Sequence, residues 1–184
     1  MKAFVFLYPV QEYFDRDMWA LEESDKERLN RCIDLRYRQK NCDIIYYNFN
    51  GHSISNIIEV RPTDKIRYVG LTFEEHTTPD TKGNFLYPDL EYMISQLSDT
   101  QTLVIGGFHL FDCVDKLAQK AFESGLHILV DEELTDYFLG YSGNDDFKVG
   151  IYPGYDHRIN IDDAELLRLY VENRRKKPWL WQWE

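Results

Sequence analysis

The chain has 184 residues, 43% hydrophobic and 29% charged, a composition too apolar for disorder and large enough to bury a core of its own. A formal net charge of -11 argues against general affinity for nucleic-acid backbones, and no apolar run approaches the roughly 20 residues needed to span a bilayer. Three cysteines (Cys32, Cys42 and Cys113) with no secretory leader pattern before them argue against a disulfide framework and predict a soluble cytoplasmic protein.

In chain order, Ala3 to Tyr8 is a nearly continuous apolar run stopped by Pro9, the pattern of a strand buried on both faces of a parallel sheet. Pro9 to Asp15 reads as a loop. The charged segment from about Asp17 to Gln39 places Leu21, Leu29, Cys32, Ile33 and Tyr37 on one face, predicting a helix with a candidate break at Ser24-Asp25. Ile44 to Tyr47 is a second strand, and the polar stretch Asn48 to Asn56, with Gly51 and His52, is a loop. Ile66 to Thr72 is a short third strand, followed by a loop over Thr77 to Asn84. Leu90, Met93, Ile94 and Leu97 form a helical stripe behind Asp89.

Thr102 to Ile105 is the next strand. Val114, Leu117, Ala118, Ala121 and Phe122 then recur at i, i+3, i+4, i+7 and i+8, a helix ending near Gly125, and Ile128 to Val130 is another strand. Val149 to Tyr152 is a last strand and Ala164 to Asn173 a last helix, capped by Asp162 or Asp163 and followed by the basic run Arg174 to Lys177, read as a solvated helix end. The tryptophan-rich tail at 178–184 reads as packing against the domain or a subunit interface. This alternation predicts one domain over 1–184, a three-layer α/β/α fold with a central, mainly parallel sheet. Ligands of such sheets bind beyond the carboxyl ends of the strands, where the segments Pro9 to Asp15, Asn48 to His52 and Gly106 to Cys113 converge.

Cys113 stands at a helix entrance after a strand and a glycine turn. Unpaired backbone N–H groups and the helix dipole there favour a thiolate, below the reference pKa of about 8.5, and can hold an oxyanion. The structural alternative is a small hydrophobe closing a strand–helix corner. Asp112 suits the start of a helix, but its charge opposes a thiolate. His109 either hydrogen-bonds a ligand carbonyl or packs with its nitrogens satisfied.

The segments Val104-Ile-Gly-Gly-Phe-His-Leu-Phe-Asp-Cys-Val114, Ala121-Phe-Glu-Ser-Gly125 and Ile128-Leu-Val-Asp-Glu-Glu133 together resemble the isochorismatase-like cysteine hydrolases, which include nicotinamidases. The family motif reads roughly V-x-G-V-x-T-x-x-C-V, then D-A-x-x-x-G-x-x-V-x-V-x-x-D. The match places Gly107 on the motif glycine, Cys113 on the nucleophile, Gly125 on the helix-ending glycine and Glu133 on the acidic position. It implies a cis peptide at Phe108-His109. The resemblance spans about Ala3 to Asp136 and implies a catalytic aspartate after the first strand, a lysine in mid-chain and the cysteine. Pro9-Val-Gln-Glu-Tyr-Phe14 keeps Gln11 and Phe14 of the first motif but has proline at the aspartate, leaving Glu12 and Asp15 as candidate bases. The segment Tyr68 to His76 holds no lysine, and Lys65 and Lys82 are the nearest. The family's metal site, an aspartate and histidines after the second strand, has here only His52 and His76. No cofactor is expected, a divalent metal at that pair being the weaker alternative.

Two functions follow. In the first, the chain is a catalytically degenerate homo-oligomer that keeps a pocket around Cys113 for a small molecule or a protein, lined by Gln11, His52, Gly107, Phe108, His109 and Asp112. In the second, it is an active hydrolase of small amides or related C–N bonds, with Cys113 as nucleophile, Glu12 or Asp15 as base, and the backbone of residues 108–113 as oxyanion hole. A nucleic-acid mimic built on the acidic surface is a distant third.

Overall fold

The apolar N-terminal run forms the middle of the sheet. Strand β1 (Lys2–Leu7) buries every residue from Ala3 to Leu7, because it has neighbours on both edges and helices over both faces. It pairs in parallel with β2 (Asp43–Asn48) on one side and β4 (Thr102–Gly107) on the other. Strand β3 (Lys65–Tyr68) extends the sheet beyond β2 and β5 (His127–Thr135) beyond β4, in the order β3-β2-β1-β4-β5, with all these pairs parallel. The winding reverses between β1 and β4, which opens a crevice at their carboxyl ends. The computed structural model describes residues 1–17, 23–135, 177 and 179, so the expected strand Val149 to Tyr152, the helix Ala164 to Asn173 and most of the aromatic tail lie outside the described residues.

Helices α1 (Gln11–Asp17) and α2 (Glu23–Arg36) cover one face. There Phe14 of α1 stacks on Phe6 at 6.4 Å, and Tyr37, just past α2, stacks on Phe4 at 4.1 Å. Helices α4 (Leu90–Ser95) and α5 (Asp115–Glu123) pack together on the other face, where the Tyr47 hydroxyl donates to the Met93 carbonyl at 2.6 Å. Tyr46, on the opposite side of β2, instead accepts from Arg38 at 3.1 Å. This alternation with a period of two serves two helical layers, which is the expected three-layer α/β/α architecture. No helix among the described residues is long and apolar enough to cross a membrane.

Four elements depart from the sequence reading, the first being α2, which runs unbroken through Ser24-Asp25. The expected loop at Pro9 to Asp15 is largely α1, a helix of under two turns held by the buried rings of Tyr13 and Phe14 and too short to show a period. The third strand stops at Tyr68 rather than Thr72, because Thr72 caps a short helix α3 (Phe73–Thr77): its hydroxyl accepts from Glu75 N–H while the Glu75 carboxylate accepts from Thr72 N–H. Strand β5 runs on to Thr135, across a register irregularity opposite Ile105 and Gly107.

The continuation of β5 carries a fully buried carboxylate. Asp131 accepts from Arg36 Nη1 at 2.9 and 3.1 Å and from the Tyr37 hydroxyl, tying the end of α2 to the sheet, and both charged side chains are sealed from solvent. The pair itself adds little net stability after desolvation, but removing one member strands the other. Asp131→Ala is therefore expected to cost about 3–5 kcal/mol, read as a lower urea midpoint at unchanged slope. An unchanged midpoint would show that the pair does not hold α2 in place.

Candidate functional site

The site begins where β4 ends. Gly107 has φ +100, and a Cβ there would lie 2.3 Å from the Leu7 carbonyl oxygen and 2.5 Å from its nitrogen, so only glycine fits. The next peptide, Phe108-His109, is cis, as the resemblance implies. Phe108 is buried against Phe6, Tyr13 and Phe14. The chain then makes one wide π-type turn, Leu110–Val114, in which Val114 N–H donates to the His109 carbonyl at 3.1 Å, and α5 follows. Cys113 stands on that turn, at the helix entrance.

Its thiol is 3% exposed and has three polar neighbours. His76 Nε2 lies 3.7 Å from Sγ and Asp112 Oδ2 3.8 Å from it, and the Tyr8 hydroxyl is close enough to act on the sulfur's charge. Burial pushes the Cys113 thiol up to about 12; the Asp112 carboxylate pushes the same way, while Lys116 and the Tyr8 hydroxyl pull it back. The thiolate expected from the helix dipole is not what results. Loss of water around the sulfur outweighs a dipole that acts only over the first turn.

His76 comes from α3, and its Nδ1 lies 2.6 Å from the Leu86 carbonyl oxygen. A carbonyl oxygen only accepts, so in the neutral ring Nδ1 carries the hydrogen and Nε2 turns its lone pair to the thiol. The ring is wedged between Phe49 at 5.3 Å and Tyr87 at 5.4 Å. Tyr8, on the residue before Pro9, has φ +55, costly for a bulky side chain, and is held by its N–H bond to the Tyr47 carbonyl at 2.8 Å and by stacking on Phe49 at 4.6 Å. Burial raises the Tyr8 hydroxyl well above its ordinary value, so it stays a donor.

Beside the buried thiol lies a cleft of about 450 Å³, lined by residues that flank the sulfur but not by Cys113 itself. His76, beside the sulfur, and Asp112 both line it, with Tyr13, Phe85 and Tyr87 as aromatic walls and Arg16 and His109 completing the lining. His109 Nε2 sits 3.3 Å from Arg16 Nη2, and its ring meets Tyr13 edge-on at 4.7 Å. Asp112 is a rim group: it pairs with Lys116 and accepts from the Tyr87 hydroxyl at 3.1 Å, with the Lys116 ammonium 3.9 Å from the centre of the Tyr87 ring.

The remaining expected site residues have other partners. Glu12 is exposed, with a carboxylate oxygen 3.5 Å from His52 Nε2. Asp15 accepts from Gln11 Nε2 at 2.8 Å, and Gln11 Oε1 accepts from Ser55 Oγ at 2.7 Å. Because α1 is a helix, burying Tyr13 and Phe14 leaves positions 12 and 15 facing outward, and among the described residues neither carboxylate is a hydrogen-bond partner of Cys113. Lys65 pairs with Asp43 at 2.6 Å, at the amino end of the sheet and so at the wrong end for the thiol. Lys82 sits in a turn closed on Asp80. His52 and His76 have separate partners, and among the described residues no group of three or more His, Cys, Asp and Glu side chains could hold a metal ion.

His76 and Tyr8 as neighbours of the thiol escaped the sequence reading. The Thr72-Phe-Glu-Glu75 capping pattern would have placed His76 on a helix, but nothing local gives its distance from Cys113.

A parallel sheet with its crevice between β1 and β4, and a cysteine just past β4 at a helix entrance, define an isochorismatase-like α/β fold. No protein-family model matches the sequence, and no curated protein matches it. Among solved structures, the chain is similar to a Burkholderia xenovorans LB400 protein assigned as an isochorismatase, at TM-score 0.50 and 17% identity over 73% of this chain and 66% of that one. It is also similar to N-carbamoylsarcosine amidase from Thermoplasma acidophilum (TM-score 0.48, 18% identity, 73% and 84% covered) and to an isochorismatase from Pseudomonas putida KT2440 (TM-score 0.48, 14% identity, 73% and 70% covered). At these identities the likeness is one of fold, and a fold alone does not carry an activity with it.

The electrostatics give a direct expectation. Iodoacetamide should label Cys113 slowly at neutral pH, with a rate that rises only as pH approaches about 12. Asp112→Asn removes a charge that opposes the thiolate, so the labelling profile should move to lower pH. Mass spectrometry of the Cys113 peptide checks both, and labelling at neutral pH as fast as a model thiol would contradict the burial account.

Proposed function

We propose that the cleft beside Cys113 binds a small molecule, and that the aspartate–lysine–cysteine chemistry implied by the family resemblance does not operate in this chain. The cleft is the observation that carries this reading: about 450 Å³, within the ordinary range for small ligands, at the carboxyl ends of parallel strands. Its aromatic walls suit a flat ring, and Arg16 suits a carboxylate or carbonyl. Against the family chemistry stand Pro9 in place of the aspartate, Lys65 at the far end of the sheet, and a resting thiol that burial keeps protonated. The reading takes the protein as a cytoplasmic homo-oligomer, the first on its free cysteines, the second on the resemblance.

A set of small aromatic carboxylates and amides, screened by thermal shift and then by protein NMR, tests it. Binders should perturb Tyr13, Tyr87 and His109 resonances, and Arg16→Ala should weaken the carboxylates about tenfold or more, the effect of losing a charged hydrogen bond. Perturbations confined to another surface, or carboxylates indifferent to Arg16→Ala, would overturn the assignment.

A further inference from the structure

We propose that the free edge of β3 binds an extended segment of another protein by strand addition, the segment alternating acidic and apolar residues. This goes beyond the reading of the cleft and uses none of its residues.

Strand β3 ends the sheet on the side of β2, and among the described residues it pairs with β2 alone. The bonds to β2 decide which of its backbone groups look outward. Val69 N–H donates to the Asn48 carbonyl at 3.1 Å, and Asn48 is the register partner of Tyr68. In a parallel ladder alternate residues turn both N–H and C=O to the same neighbour, so Lys65, Arg67 and Val69 serve β2 while Ile66 and Tyr68 hold theirs out to the free edge. Among the described residues no strand meets them there. An edge of this kind is a template for a further strand, whose main chain supplies the hydrogen bonds and whose alternate side chains supply the selectivity.

The side chains of β3 say which strand fits. Ile66 and Tyr68 lie on one face, 40% and 48% exposed, and Lys65 and Arg67 lie on the other. Lys65 pairs with Asp43, whereas the exposed Arg67 has no ion pair among the described residues. An incoming strand therefore meets apolar surface on one face and an unneutralised guanidinium on the other, a local positive charge in a chain of net charge -11. Alternating apolar and acidic side chains match both faces at once. Shortness and charge also serve to blunt an edge against pairing, but a strand blunted in that way has no use for two exposed apolar side chains beside its outward backbone groups. A second copy of the chain fits less well. Two β3 edges paired antiparallel through Ile66 and Tyr68, in the registers that overlap most of the strand, set basic side chains of the two copies directly opposite each other, which opposes pairing.

The test uses the full chain and a blocked hexapeptide of alternating glutamate and valine, with the lysine–valine hexapeptide and a fully N-methylated glutamate–valine hexapeptide beside it. The expected result is a saturable shift of the Ile66 and Tyr68 amides in proton–nitrogen NMR with the glutamate peptide. The methylated peptide, which cannot donate to the edge carbonyls, should bind at least about tenfold more weakly. Arg67→Glu turns an attraction across the strands into a repulsion, so it should weaken the glutamate peptide about fivefold or more and bring the lysine peptide above it. Because Arg67 is exposed, this variant should keep its circular dichroism spectrum and its Tm. No shift at Ile66 and Tyr68, a methylated peptide that binds as well as the plain one, or a charge preference unmoved by Arg67→Glu would each overturn the proposal. Shifts of the same amides with protein concentration, in the absence of peptide, would give the edge to a second copy and overturn it as well.

Discussion

Gly107 lies so close to Leu7 that no side chain fits between them, and Phe108 N–H donates to the Leu7 carbonyl at 3.1 Å just beyond that contact. The approach of β4 to the end of β1 sets the rest of the site. It brings the chain through Phe108-His109 into the wide turn that carries Cys113, and it brings Tyr8, the first residue past β1, against the same sulfur. A substitution that pushed these two strands apart would therefore disturb the cleft lining as well as the sheet.

The competition at Cys113 is between desolvation and nearby charge. A helix entrance favours a thiolate by a dipole whose effect is modest and short-ranged, whereas withdrawing an ionised sulfur from water is costly. With Asp112 beside the sulfur and tied to Lys116 and Tyr87, the balance goes to the neutral thiol. Any chemistry at this sulfur thus depends on a partner that takes its proton during reaction rather than beforehand.

The polar groups around the cysteine come from positions that the family pattern does not mark in this sequence. The thiol's neighbours include a tyrosine one residue before Pro9 and a histidine from the mid-chain segment Tyr68 to His76, which holds no lysine. The sheet's geometry rests on apolar packing and strand pairing, which are indifferent to what the crevice residues can ionise.

The parallel strands, the helices flanking them and the cysteine at its helix entrance were legible in sequence because each rests on a local pattern: the apolar run Ala3 to Tyr8, the stripe from Val114 to Phe122, and the glycine turn between them. Helix α1 was hidden by its shortness, and the outer half of β5 by Asp131, whose buried partner Arg36 lies 95 residues away. The identity of the groups around Cys113 could not be read locally either. His76 is 37 residues from it, and Glu12 and Asp15, nearer the expected motif, are turned outward by the packing of Tyr13 and Phe14. Sequence determined the scaffold and where its crevice opens, through periodicity and turn chemistry. The choice of partners for the thiol, and the protonated state in which it rests, came only with the tertiary packing that brought distant residues together and took water away.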